Sequence, residues 1–135
     1  MEFEEAKQKA IKYIAISKKT CYEVKQKLFR LGYNQDIIDM VISYLLNIGY
    51  LDDIDYVESY IRQNKRFINY SIFEIKQKLL QKGIKKDIIE DKLIVLEDEE
   101  YDKKLVEKLN KTKCKDMDLL KKRKYLYRRG LISNL

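Results

Sequence analysis

The stretch from Thr20 to Ile38 returns fifty-one residues later, from Ser71 to Ile89, with identity at nine of nineteen positions. The shared residues are Glu23/Glu74, Lys25/Lys76, Gln26/Gln77, Lys27/Lys78, Leu28/Leu79, Gly32/Gly83, Asp36/Asp87, Ile37/Ile88 and Ile38/Ile89. Repetition at a period of roughly 50 residues marks a helical repeat architecture, in which each unit buries its apolar face only against its neighbours. Chains of this kind bind large partners along an extended surface more often than they enclose a small-molecule site.

Punctuation within the repeat predicts eight helices. The first runs from about Glu4 to Ile16, with Phe3, Ala6, Ala10, Tyr13 and Ile14 on one face at three-to-four spacing. Thr20 opens the second with Glu23 three residues on, a capping box that satisfies two otherwise unpaired amides. Cys21, Val24, Leu28 and Leu31 form its inner face and Gly32 ends it. Asn34 caps the third, whose stripe is Ile37, Ile38, Val41, Ile42, Leu45 and Leu46, and Gly49 closes it. Asp52 and Asp53 start a fourth helix running to about Arg66, with Tyr56, Val57, Tyr60 and Ile61 inward. Ser71 and Glu74 repeat the capping box ahead of Ile72, Ile75 and Leu79, and Gly83 ends the fifth. The sixth spans about Lys86 to Leu96. A seventh carries Tyr101, Leu105 and Leu109 on one face, and an eighth opens at Asp116 or Asp118 and stops at Gly130. Leu131–Leu135 is too short for a ninth. The expected fold is therefore all-α, with tandem three-helix repeats in an elongated, curved array. Repeats one and two span residues 1–50 and 51–96, and an incomplete third of two helices spans 97–135. Lacking the partner of a broad apolar stripe, the C-terminal end is expected to be the least stable part.

Composition removes several chemistries. The chain has no histidine, so a Ser-His-Asp or Cys-His centre and the common imidazole zinc sites are excluded. None of its four glycines lies close enough to another to cradle a phosphate. Asp52 and Asp53 fit helix capping better than metal binding. No catalytic residue, metal ligand or cofactor is expected, and the protein is read as a non-enzyme. Cys21 and Cys114 lack CxxC spacing and are read as reduced thiols. The acidic start, Glu2 to Glu5, has neither the basic nor the apolar region of a secretory signal, and no run approaches the ~18 apolar residues of a membrane span. A soluble, cytoplasmic monomer is the expectation.

The net charge of +7 is spread unevenly, residues 1–33 and 97–135 each carrying four more basic than acidic side chains, and the densest basic patch lies near the C-terminus. Between Lys121 and Arg129 six of nine residues are basic, with Tyr125 and Tyr127 among them. On a helix these charges wrap around most of the cylinder, suiting phosphate or carboxylate partners. Tyr125 and Tyr127 cannot both face one core, so at least one is open to a partner. Tyr56, Tyr60 and Tyr101 fall on core stripes instead.

Several stretches resemble the RecX family of regulators of the RecA recombinase. They are Gly49, Tyr50, Leu51, Asp52 and Asp53 followed by Tyr56 and Val57, and the run from Ile75 to Ile84. Further matches are Ala10, Ile11, Tyr13, Ile14 and Ala15 ahead of Ser17, then Glu23, Val24, Lys27 and Leu28, and at the end Tyr125, Leu126, Arg128, Arg129 and Gly130. Two departures stand out: Ser71 replaces a frequent glycine, and the third repeat stops after two helices. The resemblance implies tandem three-helix repeats and a modulator, expected to be inhibitory, that binds along the groove of a RecA–single-stranded-DNA filament. Single-stranded DNA would be met through the filament, with direct DNA contact left open. On that reading Arg62, Lys65 and Arg66, with Lys121, Lys122, Arg123, Lys124, Arg128 and Arg129, supply part of the contact surface. A helical DNA-binding module acting without a recombinase is the alternative, although no helix shows a clear base-reading face. A general protein-interaction scaffold is a third.

Overall fold

The structure is a computed structural model that describes residues 2–133. Among the described residues there are eight α-helices and no strand. They are α1 (Glu2–Ile16), α2 (Cys21–Arg30), α3 (Gln35–Asn47), α4 (Asp53–Phe67), α5 (Ile72–Gln81), α6 (Lys86–Asp98), α7 (Tyr101–Lys111) and α8 (Leu119–Arg128). None of these helices is long and apolar enough to cross a membrane. Contacts divide the chain into two compact units, with the division inside α4. One holds the chain up to Val57 together with Lys82–Ile84; the other holds Glu58–Gln81 and the chain from Lys85 onward.

In the first unit α1, α2 and α3 pack on one another around Ala6, Ala10, Val24, Leu28, Ile38, Val41, Ile42, Leu45 and Leu51. Ala6 and Ala10 of α1 are fully buried, and their small size lets that helix lie close against its neighbours. Phe3, Tyr13 and Ile14 flank this core half-buried, as their spacing predicts. Asn34 caps α3 by accepting from the Ile37 N–H at 2.9 Å. At the end of α2 the Tyr33 N–H bonds to the Leu28 carbonyl and the Gly32 N–H to that of Phe29, the paired closure of a Schellman turn. Two expected core residues lie outside. Leu31 is the C-terminal cap of α2 and Leu46 stands one step around α3 from Leu45, and they are 43% and 47% exposed. The stripe that packs on α3 is narrower than the apolar run that contains it.

The second unit is built from α5, α6, α7, α8 and most of α4. Ile75, Leu79, Ile89, Leu93 and Leu96 are buried, and Tyr101, Leu105 and Leu109 line the inner face of α7. Leu105, Leu109, Cys114 and Leu126 make a cluster that Leu131 and Ile132 join from the segment after α8. Those two residues are thus packed; Asn134 and Leu135 lie outside the described residues. Asp118, of the two candidates, caps α8, accepting from the Lys121 N–H at 2.8 Å. The loop after α4 is strained at Ile68, a β-branched residue with φ of 51°. Lys108 holds it, its Nζ donating to the Phe67 and Ile68 carbonyls and to Asn69 Oδ1 at 3.0–3.2 Å. The Tyr101 hydroxyl adds a 2.7 Å bond to the Tyr70 carbonyl.

Candidate functional site

The first turn of a helix leaves amides without partners, and at α2 their satisfaction draws in three separate parts of the chain. Thr20 is fully buried. Its Oγ1 accepts from the Glu23 N–H at 3.1 Å while Glu23 Oε1 accepts from the Thr20 N–H at 3.0 Å, so the predicted capping box is present. The next amide, Cys21 N–H, donates to Asp53 Oδ1 at 2.9 Å. The Thr20 hydroxyl donates to the Lys82 carbonyl at 2.6 Å, and Lys82 Nζ lies 3.7 Å from Glu23 Oε2. Tyr22 packs on Gly83 so closely that a Cβ there would overlap its Cβ and ring. Asp52, not Asp53, caps α4, accepting from the Asp55 N–H at 3.0 Å. Both aspartates stand at the start of α4, as the sequence reading has it, but the Asp53 carboxylate bonds the Cys21 amide at the start of α2. Burial first, and the Asp53 carboxylate second, push the Cys21 thiol up to about 11.

The same interlock recurs in the second unit with every part replaced by its counterpart. Ser71 and Glu74 form the capping box at 3.1 and 2.9 Å, the Ile72 N–H donates to Asp102 Oδ1 at 2.9 Å, and the Ser71 hydroxyl donates to the Arg129 carbonyl at 2.5 Å. Phe73 packs on Gly130, where a Cβ would come within 2.6 Å of the Phe73 Cβ. Arg129 takes the place of Lys82. Its Nε bonds both Glu74 oxygens at 2.9 and 3.0 Å, and its Nη2 bonds Oε1 at 2.8 Å. Nη1 adds the Tyr125 hydroxyl at 2.9 Å and Nη2 the Asn69 carbonyl at 2.5 Å. Burial, which disfavours its charged form, pushes the Asp102 carboxyl above its ordinary value despite the Ile72 amide.

This interlock redistributes the basic residues singled out from sequence. Arg129 is engaged in it and half-buried, so it belongs to the architecture and not to an open surface. On α8, Lys121, Arg123, Lys124 and Arg128 are exposed and Lys122 is half-buried. Arg123 also borders an open depression of about 620 Å³ with Gly130, Leu131, Ile132 and Ser133. No acidic residue occurs after Asp118, so α8 carries no carboxylate of its own; its exposed charges are all cationic, beside the exposed Leu119, Leu120 and Tyr127. Tyr127 is 48% exposed while Tyr125 is half-buried against Arg129, which resolves which of the pair is open. The second group lies on α4, all exposed: Arg62 donates to Ser59 Oγ at 3.0 Å, Lys65 pairs with Glu99 at 2.8 Å, and Arg66 sits 5.5 Å from the centre of the Phe67 ring. The two groups thus stand on different helices. Asp102 and Lys82 were missed from sequence, as was the bond from the Cys21 amide to Asp53. Their signal is the recurrence of Asp at two helix starts and of a cation before Gly83 and Gly130. Among the described residues there is no cluster of three or more metal-binding side chains.

Comparison with known proteins gives consistent matches. Residues 6–45 match a family model described as RecX, first three-helix domain, and residues 52–93 match RecX, second three-helix domain. A regulatory protein RecX of Clostridium perfringens is 36% identical over 131 residues, covering 94% of this chain and 61% of that protein. Its counterpart in Streptococcus mutans is 36% identical over 92 residues, covering 68% of this chain and 36% of the relative. Relative to these two, the chain spans between about a third and three-fifths of their length. Among solved structures, RecX from Lactobacillus salivarius aligns with a TM-score of 0.77 at 28% identity, over 99% of this chain and 88% of that one. A second structure, described as regulatory protein RecX, aligns with a TM-score of 0.81 at 23% identity, over 98% and 69%, and bears on the fold alone.

Proposed function

Since this chain belongs to the RecX family, we propose that it modulates the RecA recombinase as an inhibitor, binding along the groove of the RecA–single-stranded-DNA filament. The observation that carries the reading is the acid-free α8 surface, with Lys121, Arg123, Lys124 and Arg128 exposed on a helix that the Ser71 interlock holds at its far end. Such a surface meets acidic protein patches and DNA phosphates by charge complementarity, raising the encounter rate as well as the affinity. Arg62, Lys65 and Arg66 on α4 form a second group of contacts, and Lys122 backs the first. Arg129 acts through the interlock. The units of function are three repeats, residues 1–50, 51–96 and 97–135. The protein works as a cytoplasmic monomer that bridges filament subunits and restrains recombination, meeting DNA through the filament, without chemistry of its own.

The test is charge reversal on α8. Combined Arg123→Glu and Arg128→Glu substitution is expected to weaken inhibition of RecA ATP hydrolysis on single-stranded DNA at least tenfold, with helicity by circular dichroism unchanged. Inhibition equal to that of the wild type refutes the surface. A second reading, direct DNA binding without the recombinase, draws on the exposed Tyr127 among cations. It requires tight binding to DNA alone, with log K falling against log salt at roughly 0.7 per neutralised phosphate on single strands.

A further inference from the structure

Set in register on Gly32, Gly83 and Gly130, the sequences of α2, α5 and α8 match position by position. The shared leucines, Leu28, Leu79 and Leu126, are buried in all three, as a repeated core requires. The next position serves no such need. It holds Phe29, Leu80 and Tyr127, which are 68%, 37% and 48% exposed. Four residues earlier, one turn away on the same face, each helix carries a cation: Lys25, Lys76 and Arg123. One exposed apolar side chain is ordinary. The same pairing of an exposed apolar side chain with a cation one turn before it, in three copies, is a pattern; the cation is exposed at Lys25 and Arg123 and half-buried at Lys76.

The carboxylates complete it. Glu23 is the only acidic residue of α2 and Glu74 the only one of α5, and both are turned into the interlocks; α8 has none. Each of these helices therefore presents an outward face with an apolar centre, positive charge and no carboxylate of its own. Phenylalanine, leucine and tyrosine interchange at the centre, so apolar volume is retained and a flat ring is not. A base-stacking platform needs the ring at every copy. An apolar contact with a protein does not.

We infer that the outward faces of α2, α5 and α8 are three copies of one docking element for a protein that presents, once per subunit, an apolar spot rimmed by carboxylates. This rests on the recombinase reading, in which that protein is the subunit of the filament, and it extends the principal contacts from α8 to α2 and α5, the second helices of the other repeats. The copies are unequal. Leu80 is the least exposed, and Lys76 already pairs with Glu90 at 2.9 Å, so the α5 copy contributes least.

The experiment measures binding of the full chain to RecA assembled on single-stranded DNA and, separately, to the same DNA alone. Phe29→Ser and Tyr127→Ser are each expected to weaken filament binding ~5–10-fold, Leu80→Ser ~2–3-fold, and the triple variant at least ~50-fold. Affinity for DNA alone and helicity stay unchanged. Phe29→Leu retains binding, because volume and not the ring is what counts. Wild-type binding by the triple variant overturns the inference while leaving the recombinase reading intact. Parallel losses on filament and on bare DNA overturn it in favour of a nucleic-acid face. Absence of filament binding by the wild-type chain removes the recombinase reading and this inference together.

Discussion

The two interlocks share a backbone plan and differ in how their side chains reinforce it. At Thr20 the joining cation is Lys82, 3.7 Å from Glu23. At Ser71 it is Arg129, which grips Glu74 with three bonds of 2.8–3.0 Å and also holds Tyr125 and Asn69. The hydroxyl, the bridging carboxylate and the glycine are common to both because each answers a backbone requirement: a buried amide, a second amide, and room for an aromatic side chain. The cation answers none, and it is the part that varies. A lysine is a point charge on a flexible stem, whereas a guanidinium is a fork that satisfies several acceptors at once. The second interlock is the firmer of the two for that reason.

The largest expected effect comes from breaking what the interlocks share. Gly83→Ala and Gly130→Ala each place a Cβ against the Cβ of Tyr22 or Phe73, atoms too near the backbone to swing aside, at φ of 79° and 73°. Each is expected to cost about 3 kcal/mol or more in chemical denaturation. Gly32→Ala, at φ of 93° with open space around the new atom, isolates the backbone strain and is expected to cost only about 1 kcal/mol. Equal losses at all three positions would remove close packing as the reason for the glycine.

Breaking what differs has a smaller effect. Glu74→Ala strips the Ser71 amide of its acceptor and leaves the Arg129 guanidinium without its main partner, at an expected cost of about 2–3 kcal/mol. Glu23→Ala removes the same amide acceptor but a looser ion pair, at about 1–2 kcal/mol. If urea denaturation gave the two variants equal losses, the guanidinium fork would add nothing over lysine.

The smallest effect is a pH dependence at the first interlock. The Cys21 thiol is raised from an ordinary 9.0 to about 11, chiefly by burial. Between those values the folded chain holds a proton that the unfolded chain has released, so this group lowers stability as pH rises through that interval and has no effect below it. Alkylation of Cys21 by iodoacetamide is therefore expected to stay slow at pH 8 and to accelerate only toward pH 11, and to be faster at pH 8 in Asp53→Asn, which removes the carboxylate that helps raise the thiol. A wild-type rate that levels off near pH 9 would show the thiol outside the interlock.

Much of this molecule is written locally. Helix starts at Thr20, Asn34, Ser71 and Asp118, ends at Gly32, Gly49, Gly83 and Gly130, and the buried leucines of three aligned helices follow from spacings of three and four residues, because capping and helical periodicity operate over that range. The candidate surface was legible in part, since a run without acids stays cationic wherever it is placed. Arg129 escaped that reading: whether a cation faces solvent or a carboxylate fifty-five residues away depends on packing. The same holds for Asp53 and Asp102, whose partners at Cys21 and Ile72 lie thirty-two and thirty residues distant. The sequence by itself thus determined the helices, their caps and the repetition, which are local matters of hydrogen bonding and period. Tertiary structure alone decided which polar residues lock neighbouring parts of the chain together and which remain for a partner, because only packing brings an amide and a distant carboxylate within bonding distance.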